Sequence, residues 1–182
     1  MDHTTRLWDL SSLRCRQTLR GHVDSVNACA WQPFSNNICT ASGDKTVSIW
    51  DARSALCVQT FYGHTNACNG VACNARGDVV ASCDADGVVI TWDTRTRREI
   101  SRARAHAPTA GAIAMRNIVV RDVSDDDDSA STSRAVRVTQ GKDGSLKFWR
   151  RGDGDGGTRC LLYTSDAADE GLGVDLGGRR II

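Results

Sequence analysis

The residue types able to do chemistry in this chain recur in fixed register. Trp8, Trp50 and Trp92 are each followed by Asp and stand 42 residues apart. Gly21-His22 and Gly63-His64 keep the same interval, and His106 follows His64 by 42 with Ala105 in the place of the glycine. Asp2, Asp44, Asp86 and Asp143 each precede Trp8, Trp50, Trp92 and Trp149 by six residues, and a hydroxyl (Thr40, Ser82, Thr139) lies four residues before each of the last three aspartates. Hydroxyl, imidazole and carboxylate are the parts of a nucleophilic triad, so hydrolysis is the first chemistry to weigh. Two features oppose it. The hydroxyls fall in strand-like runs and not on a sharp G-x-S-x-G turn. The grouping also recurs unit after unit, as a structural device does and a single active site does not. The repeat likewise makes Asp44 and Asp86 turn aspartates and not general bases. No catalytic residue is assigned and no enzyme is expected.

Metal and cofactor chemistry find little support. The eight cysteines, at 15, 29, 39, 57, 68, 73, 83 and 160, form no C-x-x-C pair, and Cys68/Cys73 has no matching His or Cys pair nearby. They read as small hydrophobes in strands, kept reduced inside a cell. Gly77-Asp78 and the run Gly152–Gly157 are loops, because no G-K-[ST] follows to cradle a phosphate. A net charge of +1 supplies no field for nucleic acid or an anionic membrane, no apolar run is long enough to span a bilayer, and the polar start at Met1-Asp2-His3-Thr4 is not a signal peptide. No metal, cofactor, nucleic-acid partner or membrane is therefore expected. Five arginines, Arg95, Arg97, Arg98, Arg102 and Arg104, lie close together. They read as a solvated outer strand with its turn, the alternative being a basic patch for an acidic partner.

The elements that must position the repeated residues are short strands. Ser25–Gln32, Ile38–Ser42, Thr46–Asp51 and Cys57–Phe61 are rich in β-branched and aromatic residues, and turn residues separate them. Cys68–Asn74, Val79–Cys83, Val88–Asp93 and Glu99–Ala103 repeat the pattern. Four strands per 42 residues, opened by G-H and closed by W-D, resemble the WD repeat of β-propellers. The fold class is all-β, a partial propeller: the end of one blade (1–20), two full blades (21–62 and 63–104), and an irregular blade (105–150) followed by a linker (151–159). Met1 fills the slot of Gly43, Ala85 and Lys142, so the first unit starts in mid-repeat and preceding sequence is expected. In the irregular blade Trp149 follows Trp92 by 57 residues, and the excess includes Ser124–Ser133 with its acidic run Asp125–Asp128, read as a disordered surface loop. Residues 160–182 stand apart. Cys160–Glu170 and Val174–Ile182 back-translate to sequences resembling a sequencing-library transposase adapter, with Gly171–Gly173 as its index, and this stretch is expected to be non-native.

The WD resemblance implies one hydrogen-bonded set per blade: His22–Thr40–Asp44–Trp50, His64–Ser82–Asp86–Trp92 and His106–Thr139–Asp143–Trp149. In each, aspartate accepts from the histidine ring, histidine engages the hydroxyl, and the hydroxyl accepts from the indole. It also implies partner binding on the narrow face, at Ser25, Asn27, Asn69, Ala85 and Lys142. Two stretches go beyond a generic repeat. Trp31–Asn36 (W-Q-P-F-S-N) running on through Thr40–Arg53, and Tyr62–His64 followed by Ala81–Val88 (A-S-C-D-A-D-G-V), resemble the C-terminal propeller of the sperm-associated antigen WD-repeat family of the ciliary central apparatus. That resemblance spans residues 2–103. It implies a non-enzymatic protein–protein interaction scaffold in the axoneme of cilia or flagella. Its partners would be central-apparatus and microtubule-associated proteins, and its place the cytoplasm and cytoskeleton. The alternative is a generic WD adaptor in a ubiquitin-ligase or other cytosolic complex.

Overall fold

The computed structural model describes residues 2–106 in full. Beyond them it describes the strand residues 112–121, 133–141, 146–151 and 158–164, with side chains there for 138–141 and 147. Among the described residues there are strands and no helix. The expectations for Asp125–Asp128, Lys142 and Asp143, and for the Trp149 side chain, lie outside the described residues.

Among the described residues fourteen strands form four antiparallel sheets in chain order. The first sheet is β1 (Thr5–Asp9) with β2 (Arg14–Leu19). The second is β3 (Val26–Trp31), β4 (Asn37–Ser42), β5 (Thr46–Asp51) and β6 (Cys57–Tyr62). The third is β7 (Cys68–Cys73), β8 (Val79–Asp84), β9 (Val88–Asp93) and β10 (Arg98–Arg104). The fourth is β11 (Ala112–Arg121), β12 (Ser133–Gly141), β13 (Leu146–Arg151) and β14 (Thr158–Thr164). Each four-stranded sheet is a meander in which every strand pairs with its chain neighbour, as in the blades of a partial β-propeller. The strands of the second and third sheets lie within one residue of the expected ends.

Burial explains the composition of each strand. The middle strands β4, β5, β8 and β9 are buried almost throughout, because each blade is covered on both faces by its neighbours. Their sequences are accordingly near-continuous runs of small and apolar residues without alternation. The outer strands alternate or open to solvent; β10 keeps Arg98, Arg102 and Arg104 exposed, as a solvated edge should. The inner strand β7 packs beside both β3 and β11, which lays the third sheet between the second and the fourth. The core between the second and third sheets holds Cys39, Ala41, Val47, Ile49 and Phe61 from one side and Cys68, Val71, Val80, Ile90 and Trp92 from the other.

Irregularities repeat as faithfully as the ladders do. A bulge falls beside the tryptophan in the outer hairpin of every sheet: at Leu7/Trp8, Ile49/Trp50, Glu99/Ser101 opposite Trp92, and Phe148/Trp149. Such bulges sharpen strand twist. The fourth sheet departs from expectation in two ways. Its β11–β12 ladder runs out to the pair Arg121↔Ser133, so part of the extra sequence lengthens a hairpin and Ser133 belongs to a strand. The sheet also does not stop at residue 150. Strand β14 crosses the boundaries placed at 151–159 and at 160, and pairs Trp149 with Cys160 across the same kind of bulge that pairs Trp8 with Cys15 and Trp50 with Cys57. The physical reason is an open edge: β13 presents unpaired backbone groups, and Cys160–Tyr163 is an apolar run suited to a strand.

Left-handed backbone also recurs at the period. His3, Lys45 and Gly87 hold φ of 54°, 70° and 76°, and Leu13, Ala55 and Arg97 hold 53°, 60° and 61°. A non-glycine residue in this region costs about 1–2 kcal/mol, against about 0.5–1 kcal/mol for the extra freedom glycine loses on folding. At position 87 a side chain is excluded on a second count, because a Cβ there would lie 2.5 Å from the His106 carbonyl oxygen. Gly87→Ala is therefore expected to lower stability by more than about 1 kcal/mol, whereas Lys45→Gly at the equivalent turn is neutral or stabilising by up to about 1 kcal/mol. Urea midpoints of the two variants check this; equal losses would contradict it.

Candidate functional site: the buried indole–hydroxyl–imidazole–carboxylate sets

In the second sheet the four expected residues meet. Trp50 Nε1 donates to Thr40 Oγ1 at 2.8 Å, Thr40 Oγ1 lies 2.7 Å from His22 Nε2, and His22 Nδ1 lies 2.7 Å from Asp44 Oδ2. Asp44 is held in turn by the Thr46 backbone N–H at 3.0 Å and the Thr46 hydroxyl at 2.6 Å, both on Oδ1. Thr40 is on β4 and Trp50 on β5, while His22 and Asp44 come from the turns at one end of the sheet, so the set ties strand centre to strand end. Proton use gives the chain a direction. With the Nδ1 proton given to Asp44, Nε2 accepts from the Thr40 hydroxyl, whose oxygen is then free to accept from the indole.

The third sheet repeats the set with one change. Trp92 Nε1 donates to Ser82 Oγ at 2.8 Å and Ser82 Oγ lies 2.6 Å from His64 Nε2, but His64 Nδ1 meets Asp84 Oδ2 at 2.7 Å, not Asp86. The expected membership of Asp86 is corrected. Asp84 stands where the second sheet has Ser42, and its carboxylate performs two tasks that are divided there. Ser42 Oγ accepts from the Asp44 N–H and Asp44 Oδ1 from the Thr46 N–H; Asp84 Oδ1 accepts from both the Asp86 and Val88 N–H groups, at 3.0 and 2.9 Å. Its other oxygen is left for the histidine. Val88 in place of Thr46 also deprives Asp86 of the hydroxyl that anchors Asp44. Asp86 instead accepts from Asn66 Nδ2 at 2.9 Å and Thr65 Oγ1 at 3.4 Å on the neighbouring turn.

In the next unit His106 Nε2 lies 3.0 Å from Thr139 Oγ1, and both residues are buried. Trp8 holds the matching register in the first sheet, paired with Cys15 as Trp50 is with Cys57. Trp8 is 57% exposed where Trp50 and Trp92 are each 3% exposed.

The glycine before each histidine belongs to this site, which spacing alone did not explain. A Cβ at Gly21 would lie 2.9 Å from the Trp50 ring, and one at Gly63 would lie 2.8 Å from the Trp92 ring. The indole is therefore roofed by bare backbone. The rings also touch in edge-on geometry, His22 to Trp50 with centroids 5.6 Å apart and His64 to Trp92 at 6.3 Å.

The Ser82–His64–Asp84 distances are those of a nucleophilic triad, and its environment is not. Ser82 and Asp84 are buried, His64 is buried, and an indole N–H already occupies the serine oxygen. A substrate carbonyl has no approach, and the group serves to satisfy polar atoms inside a blade. Among the described residues no cluster of three His, Cys, Asp or Glu could hold a metal ion.

The residues expected to bind partners lie near the same end of the sheets. Asn27 is exposed, but its side-chain amide donates to the Cys68 carbonyl across the sheet boundary at 2.9 Å. Ser25 is half-buried, with its hydroxyl donating to Asn27 Oδ1 at 3.1 Å. Asn69 and Ala85 are half-buried, and the Ala85 N–H donates to the Ala67 carbonyl at 2.9 Å. Exposed apolar side chains stand at both ends: Val23 and Tyr62 at this one, and a further four at the opposite end, where β1 passes to β2, β3 to β4 and β5 to β6. The four are Leu10, Leu13, Phe34 and Leu56, with Phe34 95% exposed.

Comparison with known proteins agrees with this geometry. Residues 13–51 and 55–93 match the WD domain, G-beta repeat family. A 45-residue stretch is 42% identical to WD repeat-containing protein 37 of Homo sapiens, and the same identity over 45 residues holds for the proteins of that name from Pongo abelii and Mus musculus. The stretch is 25% of this chain and 9% of each relative, so the chain matches only a small part of their length. Each matched repeat opens on the outer strand of one sheet (β2 or β6) and closes on the third strand of the next (β5 or β9).

Two measurements test the site. Thr40→Val keeps shape but strands the indole N–H and the imidazole, and should cost about 1–3 kcal/mol in urea unfolding. Asp84→Asn should be clearly more damaging than Asp86→Asn; the reverse order would return Asp86 to the set. The carboxylate of Asp44 adds a pH dependence. Burial opposes its charge, but the hydrogen bonds from Thr46 and His22 outweigh that and hold it below its ordinary value of 3.8. A lowered carboxyl contributes stability that is complete above the unfolded value and is lost as pH falls through the folded one. Wild-type protein should therefore lose more stability than Asp44→Asn on acidification from pH 5 downward, and parallel acid curves would refute this.

Proposed function

We propose that these WD repeats serve as a structural scaffold in the axoneme of motile cilia or flagella. The place would be the central apparatus, and the partners other axonemal and microtubule-associated proteins. WD repeats of this kind mark a protein–protein interaction scaffold, and the buried sets fit that role because they spend their reactive groups inside the blades. What remains for function is surface. The observation that carries the reading is the end of the sheets bearing Leu10, Leu13, Phe34 and Leu56, where large apolar side chains stand in solvent. Large apolar groups left in solvent at one end of adjacent sheets are suited to contact with a partner. The more specific assignment is supported by the runs Trp31–Asn36 and Ala81–Val88. The first forms the exposed β3–β4 turn around Phe34. The second contains Asp84, whose use in place of Asp86 separates this blade from its neighbour.

The test is fractionation of the full-length product from ciliated cells. It should remain with detergent-insoluble axonemes, and its removal should leave central-pair defects. Phe34→Ser together with Leu56→Ser should release it into the soluble fraction while the urea midpoint changes by less than about 0.5 kcal/mol, as befits exposed positions. A wild-type product found wholly in soluble cytosolic complexes would refute the axonemal role and favour a cytosolic adaptor.

A further inference from the structure

The second and third sheets meet at a pair of thiols. Cys39, on β4, is 0% exposed; Cys73, at the end of β7, is half-buried, and their sulfurs lie 3.4 Å apart. The residues are 34 apart in sequence and belong to different blades, which β4 and β7 bring into contact. Both line the interblade core with Val80, Phe61 and Ile49. Closing the gap to a disulfide bond length of about 2.05 Å needs a small rotation of side chains already facing one another. We infer that Cys39 and Cys73 form an oxidation-dependent staple between adjacent blades, with a hydroperoxide as oxidant.

The two sulfurs have different parts. Cys73 is the less buried of the two and is the one assigned to meet the oxidant. Its thiolate attacks one peroxide oxygen, a sulfur–oxygen bond forms, the oxygen–oxygen bond breaks, and the departing hydroxide leaves as water with the proton Cys73 gave up. The product is a sulfenic acid. The Cys39 sulfur then attacks Cys73, the sulfur–sulfur bond forms, the sulfur–oxygen bond breaks, and a second water carries away the Cys39 proton. Two thiols and one peroxide become a disulfide and two waters; the sulfurs lose two electrons and the peroxide oxygens gain them. The order of attack has electrostatic support. The hydrogen bond between the two thiols holds Cys73 below its ordinary value, and the same bond together with burial raises Cys39. Cys73 therefore ionises first, and Cys39 waits as the resolving thiol.

The surrounding contacts explain what the staple would do. The two blades are otherwise joined by the apolar core and by bonds such as Gln32 Nε2 to the Gly77 carbonyl and Asn27 Nδ2 to the Cys68 carbonyl. A covalent link in the middle of that seam restricts the separation of the blades in the unfolded chain and in any partial opening.

The full chain treated with equimolar hydrogen peroxide, alkylated and mapped without reduction should yield a cross-link between Cys39 and Cys73. These two thiols should be lost together, ahead of the exposed Cys15, Cys29 and Cys57. The melting temperature should rise, and dithiothreitol should reverse the rise. Cys39→Ala should leave Cys73 as a sulfenic acid trapped by dimedone, and Cys73→Ser should show neither cross-link nor rise. A first cross-link through any other cysteine, sulfinic acid at Cys73 with Cys39 still free, or unchanged alkylation of both would overturn the proposal. The wild-type map decides the matter even where a variant folds poorly.

Discussion

An indole buried between two sheets brings its N–H with it, and that proton must find an acceptor. In this protein the acceptor is a hydroxyl two strand positions away, at Thr40 or Ser82. The hydroxyl's own proton is best placed on the unprotonated nitrogen of His22 or His64, which for Thr40 lies nearer, at 2.7 Å, than the Ser48 carbonyl at 3.3 Å. That nitrogen is bare only if the other carries the proton, and a carboxylate fixes it there. One requirement of polar satisfaction thus propagates through four side chains, from the middle of a blade to its rim. The glycine beside each histidine follows from the same constraint, since the indole lies where a Cβ would be.

The sets order each blade internally, and other interactions join blade to blade. Bonds from Asn27 to the Cys68 carbonyl, Gln32 to the Gly77 carbonyl and Gln17 to the Arg53 carbonyl all cross sheet boundaries. Each is a side-chain amide reaching a backbone oxygen at a turn or strand end. The centre of the seam is apolar and sulfur-rich, with Cys39, Cys68 and Cys73 filling space that a larger residue would overfill.

Much of this was legible in the sequence because period 42 imposes itself on every level: tryptophans, strand ends, bulges and even left-handed turn residues keep it. The places where reading failed are those where two residues could satisfy one rule. Asp84 and Asp86 flank the same turn, and the spacing to Trp92 favours Asp86, yet Asp84 is the one that meets His64. What decided between them was the loss of a hydroxyl at Val88 and the two-fold accepting capacity of a carboxylate at position 84, neither of which spacing records. Sequence marks most of the cysteines as small buried hydrophobes without saying which, and Cys15, Cys29 and Cys57 are exposed. Cys15 and Cys57 stand opposite a tryptophan in bulged outer hairpins, and Cys29 falls on the solvent-facing side of an alternating strand. The reach of β14 past residue 160 was hidden for another reason. An open sheet edge recruits whatever extended apolar segment follows, regardless of what that segment otherwise resembles.

The offset between repeat and sheet has a consequence for how such a protein can change. Because a matched unit begins on the rim of one blade and ends inside the next, no blade is inherited as a single parcel. Copying or deleting one unit moves a rim strand and three inner strands belonging to different blades, yet every junction it leaves is again rim to interior. A chain built this way can gain or lose length by whole units without ever creating a blade that lacks its outermost strand.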